Sequence, residues 1–169
     1  MERIIPMSSN EVKIHLFETT HIEPSFAEAL FHVADTGFQT RSPWSVKQIQ
    51  DTLDSERTLL HYATIKDKVV GFIMASLTLD MVDVFIVVVS EKYKKRSVGT
   101  KLFEALINYC QENDIAEVIL ETRRTNTPAI GLYERVGFQR VGLRKAYYSS
   151  PIEDAILMKR VIGEEINDC

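Results

Sequence analysis

Cysteines, long apolar runs and glycine-rich motifs are all scarce in this sequence, and each scarcity excludes a class of protein. The 169 residues include two cysteines, Cys110 and Cys169, with no C-x-x-C and no cysteine–histidine pairing typical of zinc sites. We therefore predict neither a disulfide framework nor a metal site, and the four histidines receive no chemical role. The longest unbroken apolar run, residues 84–89, is too short to cross a bilayer.

The composition is that of an ordinary globular domain. Hydrophobic residues make up 45%, charged residues 26%, and the formal charge is −4, which argues against disorder and against nucleic acid as the partner. We predict one domain over residues 1–169, with residues 1–11 as a flexible arm. The opening MERIIPMSSNEV lacks the apolar core of a signal peptide, so we expect a cytoplasmic protein without membrane contact. The oligomeric state, monomer or homodimer, stays open.

Hydrophobic periodicity predicts an α+β domain with a central mixed sheet of about seven strands flanked by helices. The apolar run within residues 81–89 is rich in β-branched residues on both faces, which favours a central strand covered on both sides. The polar link 66–68 predicts a hairpin, and Ser45 is placed to cap a helix. The predicted strands are residues 12–17, 58–65, 69–79, 81–89, 118–122, 138–143 and 155–161, and the predicted helices are a segment ending near 37, then 46–53, a segment from 98 and 126–136.

One stretch, SEKYKKRSVGTKLFEALINYC, concentrates positive charge at the entrance of a predicted helix. The unpaired N–H groups and the dipole of a helix N-terminus favour phosphate, and surrounding lysines would add to that field. SVGTK lacks the G-x-x-x-x-G-K-[ST] pattern, and no G-x-G-x-x-G is present, so neither of those nucleotide-binding motifs applies. From the residues alone, a solvated basic loop remains the alternative.

The chain resembles the GNAT superfamily of acetyl-CoA-dependent N-acetyltransferases, whose phosphate loop has the pattern [QR]-x-x-G-x-[GA]. Within that superfamily it is most similar to ribosomal-protein-alanine N-acetyltransferases, over residues 14–161. The most specific block is LETRRTNTPAIGLYERVGF, supported by SPWS near the start and by YY and EDA near the end. Lysine stands at the first motif position and serine where the family has its first glycine, the residue that permits the closest approach to phosphate.

This resemblance implies roles for named residues. It places acetyl-CoA at the phosphate-loop residues Lys94, Lys95, Arg96, Ser97, Val98, Gly99 and Thr100, at the backbone of Val87 and Val89, and at Asn126 and Tyr133. It makes Tyr133 the acid that protonates the departing thiolate and Glu121 the general base, acting through water. It puts Trp44, Tyr147 and Tyr148 along the acceptor cleft, with Glu153 or Asp154 attracting a cationic amine.

Each role has a plainer alternative. Tyr133 and the other aromatic residues suit a core, Glu121 suits an exposed strand end, and Asn126 suits a helix N-cap. The expected acceptor is a protein amino terminus, whose pKa near 7.7–8.0 makes it easier to deprotonate than lysine at about 10.4. A small amine, an amino acid or a lysine side chain is the alternative acceptor, and a CoA-binding domain without catalysis is the alternative function.

Overall fold

The computed structural model describes residues 11–18, 22–38 and 42–164, which form a seven-stranded sheet with helices on both faces. The sheet order is β1-β2-β3-β4-β5-β7-β6. Its elements are β1 (Lys13–Leu16), α1 (Pro24–Gly37), α2 (Val46–Leu53), β2 (Thr58–Ile65), β3 (Lys68–Thr78), β4 (Met81–Val89), α3 (Val98–Glu112), β5 (Glu117–Arg123), α4 (Thr127–Arg135), β6 (Gln139–Ser149) and β7 (Ile152–Val161). This confirms the predicted fold class and the predicted order of elements; most of the predicted arm lies outside the described residues.

The sheet is mixed, and its single parallel pairing lies at its centre. β4 runs parallel to β5, whereas every other pair of neighbouring strands is antiparallel. β4 is the middle strand of the seven, as the apolar run predicted. Val82, Val84, Ile86 and Val88 of β4 are buried, whereas Phe85 is exposed.

Two apolar cores lie on opposite faces of the sheet. α3 and α4 cover one face, where Leu102, Phe103 and Tyr133 belong to the same buried cluster. α1 and α2 cover the other, where Leu30 and Ile49 pack in a second cluster. We call these the α3/α4 face and the α1/α2 face.

A bulge in β4 exchanges the faces of its side chains. Ala75 pairs with Val84 and Met74 with Ile86, which leaves Phe85 without a partner on β3. Before the bulge Val84 packs in the α3/α4 core, and after it Ile86 packs in the α1/α2 core. The bulge lies one residue past the last pair that β4 forms with β5.

The terminal hairpin is longer than its sequence predicted. The predictions were residues 138–143 and 155–161, but β6 continues to Ser149 and β7 begins at Ile152. β6 is an edge strand whose residues are exposed almost throughout, so it has no apolar alternation to mark its length. Its pairing with β7 also shifts register twice, which obscures the period further.

Candidate active site

The central strands separate at one end of the sheet. Pairing between β4 and β5 stops at Val84 and Leu120, although β4 continues to Val89 and β5 to Arg123. The edge of β4 beyond the bulge therefore has backbone groups with no partner from β5. We call this opening the strand split.

Val87 and Val89 lie on the unpaired part of β4. Both side chains are half-buried and pack against the α3/α4 core. The side chains of both residues are thus part of the core packing, and the backbone of β4 has no strand partner on the β5 side here.

The loop after β4 enters α3 through two left-handed residues. Lys95 has φ of 60° and Ser97 has φ of 61°, a region that favours glycine. Ser97 is the N-cap residue of α3, but its side chain makes no capping hydrogen bond. The glycine of the family motif therefore corresponds to a conformation that this chain adopts with serine.

The first turn of α3 has backbone N–H groups that no helical carbonyl accepts. The first intrahelical hydrogen bond runs from the Lys101 N–H to the Ser97 carbonyl at 3.0 Å, so the N–H groups of Val98, Gly99 and Thr100 have no acceptor within the helix. A Cβ at Gly99 would lie 2.9 Å from Leu132 of α4. Gly99 thus allows α4 to approach the start of α3, and the two helices flank the same opening.

The basic side chains of the loop differ in what they contact. Lys92, Lys95 and Arg96 are exposed, and the Arg96 guanidinium lies 5.5 Å from the Tyr93 ring centre. The Lys94 ammonium instead donates to the Gly37 carbonyl at 2.7 Å and forms an ion pair with Glu91 at 2.7 Å. Lys94 therefore joins the loop to the end of α1.

Tyr133 of α4 is buried on the α3/α4 face of the sheet. Its ring packs edge-on against Phe103, 5.5 Å between centres, and lies 6.1 Å from Phe138. Burial, reinforced by neighbouring Tyr148, raises the pKa of this phenol well above its ordinary value. The hydroxyl consequently keeps its proton at neutral pH.

Asn126 begins α4 and has the capping role that its position suggested. Its side-chain oxygen accepts a hydrogen bond from the Ala129 N–H at 3.4 Å. Thr127 and Pro128 follow at the first helical positions, where proline costs no hydrogen bond.

Glu121 of β5 lies at the strand split on the opposite face from Tyr133. Its neighbours Leu120 and Thr122 are buried, so alternation points Glu121 to the α1/α2 face. The carboxylate lies 3.0 Å from the Arg144 Nε and accepts a hydrogen bond from the Tyr147 hydroxyl. That hydrogen bond is the main reason why the pKa of Tyr147 is raised.

The paired tyrosines predicted for the cleft lie together beside Glu121. The rings of Tyr147 and Tyr148 meet edge-on with centres 5.1 Å apart, and the Arg123 guanidinium lies 4.2 Å from the Tyr148 ring centre. Trp44 is elsewhere on this face, stacked on Phe85 with ring centres 6.3 Å apart. The predicted aromatic residues therefore occupy two places on the face.

Glu153 and Asp154, which the sequence predicted to attract the amine, both have partners within the protein. Glu153 accepts hydrogen bonds from the amide and hydroxyl of Thr125, which lower its pKa, and pairs with Arg123. Asp154 accepts from the Ala146 N–H at 2.9 Å. Both carboxylates hold the β6–β7 hairpin against the loop before α4.

Sequence analysis missed three residues of this face: Asp83, Phe85 and Arg144. Asp83 pairs in register with Ile119, two residues before Glu121, so the two carboxylates share a face. Burial and the Glu121 charge raise the pKa of Asp83, while Arg144 lowers it. The one available signal was an acidic residue inside the apolar strand pattern of residues 81–89; nothing in the sequence pattern marks Phe85 or Arg144.

The described residues contain neither a candidate membrane-spanning helix nor a candidate metal site. Within those ranges, no helix has both the length and the apolar character that crossing a membrane requires. No group of three or more His, Cys, Asp or Glu side chains in the same ranges is placed to hold a metal ion.

Comparison with known proteins gives one consistent result. The acetyltransferase (GNAT) family model matches residues 23–138. The ribosomal protein bS18-alanine N-acetyltransferase of Escherichia coli K12 is 34% identical to this chain over 118 residues, which cover 69% of this chain and 79% of that protein. The Haemophilus ducreyi protein of the same name is 33% identical over 119 residues, which cover 69% of this chain and 81% of that protein. The crystal structure of the Escherichia coli S18-alanine enzyme superposes with a TM-score of 0.80 at 28% identity, over 94% of this chain and 99% of that one. Arabidopsis thaliana NAA60 in complex with acetyl-CoA has the same fold, with a TM-score of 0.73 at 21% identity over 89% of this chain and 100% of that one.

Proposed function

Because the chain belongs to the GNAT acetyltransferase family and is an acetyl-CoA-dependent N-acetyltransferase, we propose that its acceptor is the amino terminus of a protein, of the alanine-initiated ribosomal type. One observation carries the proposal. Glu121 lies past the end of the β4–β5 pairing on the α1/α2 face, Tyr133 lies in the α3/α4 core, and Tyr148 is a neighbour of both. An amine can thus meet a base on one face while a thiol receives a proton on the other.

The residues around the strand split fit acetyl-CoA. The free N–H groups of Val98, Gly99 and Thr100 would hold its phosphates, and Lys95 and Arg96 would add positive charge. The unpaired edge of β4 at Val87 and Val89 would pair with the pantetheine amides. The side-chain amide of Asn126 would reach the same arm while its oxygen caps α4.

Acetyl-CoA supplies an activated acyl group, and the chain's own residues supply the proton transfers and the polarisation. Glu121 takes a proton from the incoming ammonium, directly or through a water, while Arg144 and Tyr147 fix its carboxylate. A backbone N–H of β4 polarises the carbonyl that the amine attacks, and removal of one such donor costs about 2.7–4 kcal/mol in other enzymes. Tyr133 gives its proton to the departing sulfur.

The modest base at this site suits an α-amino group better than a lysine. The two amines differ in pKa by about 2.4–2.7 units, or roughly 3.3–3.7 kcal/mol at about 1.36 kcal/mol per unit. The Arg144 guanidinium fixes the position of the Glu121 carboxylate, and carboxylates in general are much weaker bases than amines. Such a carboxylate needs an acceptor that is already partly neutral at pH 7.

A panel of acceptors tests the proposal. We expect turnover with a peptide that begins with a free alanine, and none with the same peptide blocked at its amino terminus. Polyamines and a blocked peptide carrying lysine are the comparisons. Turnover of these without turnover of the free peptide would reject an amino-terminal acceptor; CoA binding without turnover of any acceptor would reject catalysis.

A further inference from the structure

The Lys94 side chain crosses from the loop after β4 to the end of α1. Its ammonium donates to the carbonyl of Gly37, the last residue of α1, at 2.7 Å, and pairs with Glu91 of its own loop at 2.7 Å. α1 packs on the α1/α2 face, whereas α3, the helix that the loop enters, packs on the α3/α4 face. One side chain therefore joins two elements that lie on opposite faces of the sheet.

The end of α1 gains a cation that α1 itself does not supply. The last carbonyls of a helix have no partner within it, and they carry the negative end of its dipole. No residue in the last turn of α1 is basic, and the C-cap residue Phe38 has an extended backbone. Lys94 thus supplies from a distant loop the charge that a lysine or arginine in the last turn of a helix supplies elsewhere.

The same end of α1 packs directly on the end of β4. A Cβ at Gly37 would lie 2.6 Å from the Val89 carbonyl oxygen and closer still to the Val88 side chain, so glycine permits this approach. The Thr36 and Ser90 hydroxyl oxygens lie 3.5 Å apart across the same junction. The end of α1 is therefore held against the residues from which the loop starts.

Lys94 lies immediately before the left-handed part of the loop. Lys95 and Ser97 have positive φ, and the N–H groups at the start of α3 follow them. The Gly37 contact fixes this turn from the side of α1, and the phosphates of acetyl-CoA would fix it from the side of α3. Two partners that favour the same conformation of a segment stabilise each other's contacts with it.

We propose that Lys94 is a positioning residue that couples the acetyl-CoA site to the end of α1. When CoA binds, the loop holds the Lys94 ammonium on the Gly37 carbonyl, and the last turn of α1 opens less often. α1 covers the face on which Glu121 lies, so the coupling prepares the acceptor side of the sheet. This last consequence rests on the proposed acceptor, whereas the coupling between CoA and α1 does not.

Hydrogen–deuterium exchange of the whole protein, with and without CoA, tests the coupling without any acceptor. In the wild type, saturating CoA should slow amide exchange in the last turn of α1 about five- to tenfold. Lys94→Met removes the ammonium and should lose that effect, whereas Lys94→Arg, whose guanidinium also donates to a carbonyl, should keep it. Lys95→Met removes the neighbouring exposed charge and is the matched control, so it should retain the effect at saturating CoA.

Steady-state kinetics tests the consequence for the acceptor. At saturating acetyl-CoA, Lys94→Met should raise the KM of the alanine-initiated peptide about two- to tenfold, while Lys95→Met should leave it within about twofold. An unchanged peptide KM in Lys94→Met would reject the link to the acceptor side.

Equal protection of α1 by CoA in Lys94→Met and the wild type would overturn the coupling, as would its absence from the wild type. Circular dichroism checks folding, and Lys94→Gln, which is shorter and uncharged, takes the place of Lys94→Met if that variant does not fold. The two proposals fail separately. If no peptide is acetylated while CoA protects α1 through Lys94, the proposed acceptor fails; if the peptide is acetylated without such protection, only the coupling fails.

Discussion

The Glu121 carboxylate on β5 lies 3.0 Å from the Arg144 Nε on β6, although β7 lies between the two strands. The arginine thus reaches across a strand to hold the proposed base. The Tyr147 hydroxyl approaches the same carboxylate from the same strand as Arg144. The long terminal hairpin therefore supplies two side chains that contact the proposed base.

Glu121→Gln should lower kcat by about 10²–10⁴, because the amide keeps the shape of the side chain but cannot accept a proton. The measurement is steady-state turnover of the alanine-initiated peptide at saturating acetyl-CoA. Glu134→Gln, which breaks an exposed ion pair with Arg140, is the matched control and should keep wild-type turnover. Equal turnover in Glu121→Gln and the wild type would show that Glu121 is not the base.

Tyr133→Phe should lower kcat while leaving the dissociation constant for CoA nearly unchanged. The ring contacts with Phe103 and Phe138 survive the substitution, whereas the proton donor is lost. We expect a loss within about 10²–10⁴ in kcat, measured beside CoA titration by calorimetry. Because the phenol's pKa is raised, the wild-type rate should not decline through its ionisation up to about pH 9. A variant with unimpaired turnover would remove Tyr133 from the mechanism.

The sequence predicted the elements well because each carries its own local signal. Ser45 caps α2 as expected, and Gln48 completes the capping box from three residues on. The polar link at Lys66 and Asp67 forms the expected tight turn, with positive φ at both residues. The helices that begin at Val98 and Thr127 were likewise predicted from the residues at their own N-termini.

Features that depend on distant pairing left no such signal. The β4 bulge lies inside a uniformly apolar run, where a shift of one residue changes no hydrophobic pattern. The Lys94 ammonium contacts the Gly37 carbonyl, which is 57 positions away in the chain, and nothing near Lys94 in the sequence predicts that contact. Arg144 and Phe85 acquire their roles from the strand order and the bulge, which sequence periodicity does not encode.

Asp83→Asn should raise thermal stability at pH 7, and by less at pH 4. The native pKa of Asp83 lies above its ordinary value, so the folded state favours the protonated form. The resulting stabilisation is present at low pH and is lost as the pH rises through the native pKa, leaving an unfavourable charge at pH 7. Thermal unfolding at both pH values measures the difference. Asp80→Asn, at a turn residue, is the control. An equal gain in thermal stability for Asp83→Asn at both pH values would contradict the account.

Ser97→Gly should stabilise the protein by roughly 0.5–1 kcal/mol. The left-handed conformation costs a non-glycine residue about 1–2 kcal/mol, and the greater freedom of glycine in the unfolded chain offsets about 0.4–1 kcal/mol of that. The melting temperature should rise by about 1–4 °C.

Ser97→Ala removes the hydroxyl but not the Cβ, so it tests whether the hydroxyl itself contributes to CoA binding. The Ser97 side chain does not cap α3, and we propose that backbone N–H groups hold the phosphates, so the CoA dissociation constant should stay within about twofold. A tenfold weakening in both the alanine and glycine variants would instead make the hydroxyl a phosphate ligand.

The most direct test of the central claim is to locate the acetyl group on one peptide that begins with a free alanine and carries one internal lysine. After incubation with the protein and acetyl-CoA, tandem mass spectrometry distinguishes the α-amino group from the lysine side chain. We predict acetylation of the alanine amine, with Glu121→Gln abolishing most of it. Acetylation of the lysine, with the amino terminus left free, would contradict the account.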